Sequence, residues 1–187
     1  MKKNILFLFA LAALLVSCTS GGGKEEDTSI LKAGDPVPAF HVDQDLVGED
    51  YRDFTSPQDF EGKNTLLVFF TTTCPDCQRE IPFAKRVWDD LGTDEVNVVC
   101  ISRGYKPDYM PHKFWEDYKL GDMPWFIDTD GEEAYAKFAT GYVPRFYLVG
   151  KDGRIVWMKV ENLGYGKYTD EKGKQFVELV KKQLNLK

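Results

Sequence analysis

The 187-residue chain is 43% hydrophobic and 14% aromatic, apolar material for one full core and not for two, so a single domain is expected. Thirty acidic against 24 basic side chains give a formal net charge of −6 with no long basic run, which excludes the electrostatic footprint of a nucleic-acid binder. Four cysteines (Cys18, the pair Cys74 and Cys77, and Cys100) are too scattered for a disulfide scaffold and imply three separate uses.

Lys2 and Lys3 precede an apolar run over residues 5–16, twelve residues long and well short of the roughly 20 that span a bilayer. This reads as a secretory signal. Leu15-Val16-Ser17-Cys18 resembles the lipobox of bacterial lipoproteins, which implies removal of residues 1–17 and a lipid anchor on Cys18. Without those residues the chain carries 22 basic and 30 acidic side chains, a net of −8. Residues 18–29 are rich in Gly, Ser and Thr, carry the charge run Lys24-Glu25-Glu26-Asp27 and have nothing apolar to bury, so a flexible linker is expected. Charged stretches after a lipidated cysteine resemble the export signals of some surface lipoproteins. Here the run lies several residues beyond Cys18, which favours a solvated linker and a domain facing the periplasm.

The globular domain is expected over residues 30–187. Gly34-Asp35-Pro36-Val37-Pro38-Ala39-Phe40 is a turn-rich lead-in, and residues 60–64 form a second turn before the apolar run 65–70. That run, β-branched and aromatic without polar alternation, suits a strand buried on both faces. Ile81, Ala84, Val87, Trp88 and Leu91 then recur at helical spacing until Gly92. Residues 96–101 form a second buried strand, completing a parallel crossover unit. A helix over 110–118, a short strand over 125–127 and a helical stretch over 132–138 follow. Residues 145–149 and 154–160, joined by Gly150-Lys151-Asp152-Gly153, read as an antiparallel hairpin. A final amphipathic helix over 171–184 places Phe176, Val177, Val180 and Leu184 on one face.

The chemistry concentrates at Cys74-Pro75-Asp76-Cys77. A Cys-x-x-Cys where a buried strand meets a helix puts the first sulfur at the helix N-terminus, where unpaired N–H groups and the macrodipole favour a thiolate. Two intervening residues let the second sulfur reach the first with disulfide geometry. Cys74 is therefore expected to attack and Cys77 to resolve. Zinc binding would need two further Cys or His ligands, and the only histidines, His41 and His112, lie beside no other ligand. A purely structural disulfide is the other alternative.

These residues resemble the thioredoxin fold and, more narrowly, the TlpA/ResA-like family of envelope thiol-disulfide oxidoreductases. The resemblance spans about residues 30–184. It rests on Gly34, Pro38 and Phe40, the strand leading into Cys74-Pro75-Asp76-Cys77, Glu80 and Pro82 in the next helix, Val143-Pro144 before a strand, and the Lys151-Asp152-Gly153 turn. It implies an α/β fold, a three-layer αβα sandwich with a mixed central sheet and an N-terminal extension. It also implies Pro144 as the cis-proline opposite the disulfide and Val143 as a main-chain partner for an incoming peptide. No cofactor beyond the thiols is implied. The implied partners are protein thiols or disulfides and an upstream membrane thiol-electron donor. Many relatives carry Trp before the first cysteine, where this chain has Thr73.

Glu80 lies one helical turn beyond Cys77 and in similar proteins tunes the thiols and moves protons. With Asp76 it is expected to oppose thiolate formation and so favour a reducing couple; the alternative is a pair of solvated acids at a helix start. Cys100 is expected to be a buried inert thiol, Pro82 a helix kink, and Phe114, Trp115, Tyr118, Trp125 and Phe126 core rather than substrate groove. Arg145 is expected either near the disulfide or on the surface. Two other functional readings stand beside the reductase. One is a peroxiredoxin-like peroxidase, suggested by Thr71 but opposed by Leu67 where a proline is needed. The other is a non-enzymatic binding lipoprotein on the same scaffold.

Overall fold

The computed structural model of the chain describes residues 28–42, 54–55, 62–103, 111–128 and 133–187. Cys18, the signal segment and most of the linker lie outside the described residues. Two short strands, β1 (His41–Val42) and β2 (Phe54–Thr55), pair antiparallel as a separate ribbon. At two residues each they are too short to leave a periodic trace in the sequence.

Next come β3 (Thr65–Phe70), α1 (Pro75–Glu95), β4 (Asn97–Arg103), α2 (Pro111–Asp117) and β5 (Trp125–Asp128). They are followed by α3 (Glu133–Ala136), β6 (Arg145–Val149), β7 (Ile155–Val160) and α4 (Asp170–Leu184). Five strands form one mixed sheet in the order β5-β4-β3-β6-β7. β3 runs parallel to β4 and antiparallel to β6, so the central strand has hydrogen-bonded neighbours on both sides.

All six residues of β3 are buried, which explains the uninterrupted apolar run. Alternate side chains serve opposite faces. Leu66, Val68 and Phe70 join Cys77, Ile81, Ala84 and Val87 of α1 and Phe176, Val177 and Val180 of α4 in one core. Leu67 and Phe69 join Phe40, Tyr135, Phe138 and Tyr147 in a second core on the other face. The three-layer αβα sandwich follows directly from this division.

Of the aromatic group expected in the core, Phe114, Trp115 and Phe126 lie there, Trp125 is half-buried and Tyr118 is exposed. Phe114, Trp115 and Phe126 are buried, Phe114 and Trp115 pack on Phe70 at 5.7 and 5.4 Å, and the Trp115 indole N–H donates to the Met123 carbonyl at 2.6 Å. Trp125 stands 5.9 Å from Trp115, and Tyr118 stacks on Phe114 while remaining partly exposed.

Gly92 interrupts α1 with φ 62°, the left-handed backbone that glycine adopts at little cost, and one further turn carries the chain to Glu95. The expected helix stop is thus a kink. α4 starts at Asp170 behind Thr169, whose hydroxyl accepts the Lys172 N–H at 3.3 Å; acids fill its first turn and lysines its last. The linker reading of residues 18–29 needs correction at its end. The Thr28 carbonyl accepts the Thr140 N–H at 2.9 Å and Ser29 bridges Ala139, so these two residues are stitched to the domain.

Phe176 has no exposed surface and lies between Phe83, Phe146, Trp157 and Tyr165, with ring centroids 5.9 to 6.3 Å away. Phe176→Ala is expected to lower unfolding stability by about 3–5 kcal/mol, measured by urea denaturation at fixed thiol redox state.

Candidate active site

β3 ends at Phe70, and a short turn through Thr71, Thr72 and Thr73 delivers Cys74 to the head of α1. The turn is closed by the Cys74 N–H donating to the Thr71 carbonyl at 3.3 Å and by the Gln78 side-chain amide donating to the Thr72 carbonyl at 3.1 Å. Cys74 is the helix N-cap: its sulfur accepts the Cys77 N–H at 3.3 Å, with Pro75 in the first turn where a missing N–H does no harm. Both cysteines are thiols. Cys74 is partly exposed and Cys77 fully buried, its sulfur accepting the Thr71 N–H at 3.5 Å.

The two sulfurs are electrostatically unequal. Cys74 is lowered to about 6, chiefly by the hydrogen bond from the Cys77 thiol and, against the opposing effect of burial, by the N–H groups of Cys77 and Asp76. Cys77 is pushed far up by burial, and further by acting as donor to Cys74. The expectation that Asp76 and Glu80 hold the attacking thiol up is therefore corrected. Asp76 opposes the Cys74 thiolate more weakly than these influences, and its carboxylate is engaged by Arg79 at 2.5 Å.

Glu80 is not a solvated helix-start acid. Its side chain is fully buried, Oε1 accepts from Arg79 Nε at 3.4 Å, and Oε2 has no hydrogen-bond partner among the described residues. Burial raises its carboxyl above the usual range, while Arg79 and the Leu163 N–H pull the other way. Opposite the thiols, the Val143–Pro144 peptide bond is cis, and the Val143 carbonyl accepts from Cys74 Sγ at 3.4 Å. Cys74, Cys77, Val143 and Pro144 thus form one site, with Glu80 on the α1 face below it.

Cys100 is buried in β4 and its thiol is raised by that burial alone. Pro82 sits inside α1, whose one non-helical residue is Gly92. Arg145 is neither at the thiols nor on the surface. It is fully buried in the second core face, among Tyr135, Thr28 and the carbonyls before Pro144. Nothing in the sequence marked this group, because a single arginine opening an apolar strand carries no pattern. Among the described residues no three His, Cys, Asp or Glu side chains gather where they could hold a metal ion.

The family model for redoxins matches residues 32–173. The chain belongs to the redoxin family. Within it, the chain is 28% identical to the thiol-disulfide oxidoreductase ResA of Geobacillus thermodenitrificans, covering 96% of this chain and 94% of that one. It is 27% identical to the protein of the same description from Halalkalibacterium halodurans, over 94% and 93%. The thioredoxin domain of a thiol-disulfide oxidoreductase from Bacteroides vulgatus superposes with a TM-score of 0.61 at 22% identity, over 83% of this chain and 99% of that one. A thiol:disulfide interchange protein from a Bacteroides species gives 0.59 at 21%, over 83% and 91%. This is a TlpA/ResA-like redoxin, and its enzyme class is thiol-disulfide oxidoreductase.

Alkylation of the reduced redoxin is expected to follow one sulfur only. Cys74 should react with a half-maximal pH of about 6, and Cys77 should stay unmodified in the folded protein. Because the Cys74 value is lower folded than unfolded, the dithiol form gains stability from this group as pH rises from about 6 to 9 and loses it as pH falls through 6. Mass-resolved alkylation and urea midpoints across that range check both statements.

Proposed function

We propose that this redoxin reduces disulfides in partner proteins of the cell envelope through a mixed disulfide on Cys74. The carrying observation is the pairing of an accessible, low-pKa Cys74 with a buried Cys77 directly behind it. The Cys74 thiolate attacks one substrate sulfur; the Cys74–substrate S–S bond forms as the substrate disulfide breaks, and the departing thiolate takes a proton. Cys77 then loses its proton and attacks Cys74 Sγ. The Cys74–Cys77 bond forms and the second substrate thiol leaves protonated. Two electrons pass from the pair to the substrate; one proton comes from Cys77 and the other from solvent, which took up the proton that Cys74 released, and an upstream membrane dithiol donor restores the pair.

The reducing direction rests on magnitude. A value of about 6 stands near the roughly 7 of thioredoxin and well above the roughly 3.5 of strongly oxidising DsbA, whose couples lie at about −270 and −120 mV. Glu80 is proposed as the internal group that takes the Cys77 proton, since burial raises its carboxyl and Oε2 has no hydrogen-bond partner among the described residues. Val143 and Pro144 are proposed as the docking edge, with main-chain groups of Val143 pairing with the substrate segment. Lipidation at Cys18 is proposed to hold the domain in the envelope, facing the periplasm.

Cys77→Ala is expected to accumulate mixed disulfides with envelope proteins, seen on non-reducing gels, whereas Cys74→Ala abolishes reduction of insulin disulfides. Unchanged insulin reduction by Cys74→Ala would overturn the proposal. Glu80→Gln is expected to slow release of the mixed disulfide by about a hundredfold at neutral pH and to recover as pH rises.

A further inference from the structure

Arg145 opens β6 one residue after Pro144, fully buried on the sheet face away from the thiols. All its described partners are neutral. Nε is shared among the Gly141 and Tyr142 carbonyls, both at 3.1 Å, and the Tyr135 hydroxyl at 3.2 Å. One terminal nitrogen donates to Ser29 Oγ at 2.8 Å; the other donates to the Gly141 carbonyl at 2.5 Å and to Thr28 Oγ1. A guanidinium with five donors in a rigid fork can satisfy so many acceptors where a lysine could not.

Tyr135 completes the grip. Its hydroxyl lies 2.8 Å from the Gly141 carbonyl and 2.7 Å from that of Tyr142, and its single proton serves one of them at a time. The ring is fixed by Phe69, with centroids 5.4 Å apart, and by the Arg103 guanidinium 4.2 Å above its face. Thr28 adds a hydroxyl to the Gly141 carbonyl at 3.1 Å.

What this cluster holds is an unusual piece of backbone. Tyr142 has φ 64°, a conformation rarely adopted by bulky residues, and the residue is 49% exposed, too open for its own packing to enforce it. The constraint comes through the carbonyls. The next residue is Val143, whose carbonyl faces Cys74 Sγ.

We propose that Arg145 is a positioning residue for the docking edge. Gripping the carbonyls of Gly141 and Tyr142, it fixes the main chain of Val143 against which a peptide carrying the substrate disulfide pairs. Its own anchor is Thr28 and Ser29, where the chain arrives from its N-terminal segment. The substrate in this statement rests on the reductase reading; the grip on the backbone does not.

The test compares two oxidants of the reduced protein, a small aromatic disulfide that needs no main-chain pairing and a peptide closed by one disulfide. Thr28→Ala with Ser29→Ala, Tyr135→Phe and Arg145→Met are measured alongside the native protein, the first two deciding the matter should Arg145→Met not fold. Each is expected to raise KM for the peptide by about five- to tenfold at little change in kcat, with the small disulfide reacting within about twofold of native. The ¹⁵N order parameters of the Tyr142 and Val143 amides are expected to fall from about 0.85 towards about 0.6 while those of β3 stay at about 0.85. Equal losses on both oxidants, or unchanged order parameters at Tyr142 and Val143, would overturn the inference. If the native protein ignores the peptide altogether, the reductase reading fails and the order parameters alone decide the role of Arg145.

Discussion

The site depends on one constraint, the burial of β3 on both faces of the sheet. A strand with no exposed residue must have its backbone groups paired on both sides and its side chains covered above and below. β4 and β6 supply the pairing, in parallel and antiparallel sense, and the registers Val68 with Phe146 and Phe69 with Arg145 follow. The end of β3 therefore lies beside the start of β6. Cys74, four residues past Phe70, and Val143, two residues before Arg145, are delivered to the same point by opposite ends of two paired strands. Sequence separation of 69 residues collapses to a 3.4 Å contact without any need for a flexible loop to find it.

The difference between the two sulfurs follows from the same placement. Cys74 lies at the helix cap, open to substrate and facing N–H groups that its thiolate can accept from. Cys77, one turn inside, is part of the core cluster with Phe70 and Ile81, where a charge is costly. The chain thus separates the two thiols by depth, and Asp76, whose carboxylate is engaged by Arg79, opposes the Cys74 thiolate only weakly.

Much of this was legible in the sequence because it rests on periodicity and on residues with few conformational options. The six-residue run of β3, the helical spacing of Ile81, Ala84 and Val87, the glycine-bounded hairpin and Cys-x-x-Cys at a strand-to-helix junction each carry a local signature. The two-residue strands do not. Charged residues were read least well: Asp76 and Glu80, four positions apart on one helix, differ in that one is ion-paired near the surface and the other buried, with the backbone of the distant Leu163 beside it. Arg145 was misplaced for the same reason, since its acceptors come from residues 28–29, 135 and 141–142, which no local pattern connects.

Glu80 and Arg145 place a buried ionisable group on each side of the sheet, and the fold treats them in opposite ways. Arg145 is held in the interior by hydroxyls and carbonyls that accept from its donors, and removing any of them leaves the others to satisfy the guanidinium. Burial raises the Glu80 carboxyl, and its Oε2 has no hydrogen-bond partner among the described residues. A planar group with many donors suits a residue that holds backbone. A titratable one suits a position one helical turn from a thiol that must lose its proton during turnover. On this view the sheet divides labour between its faces, geometry behind the docking edge and proton transfer beneath the dithiol.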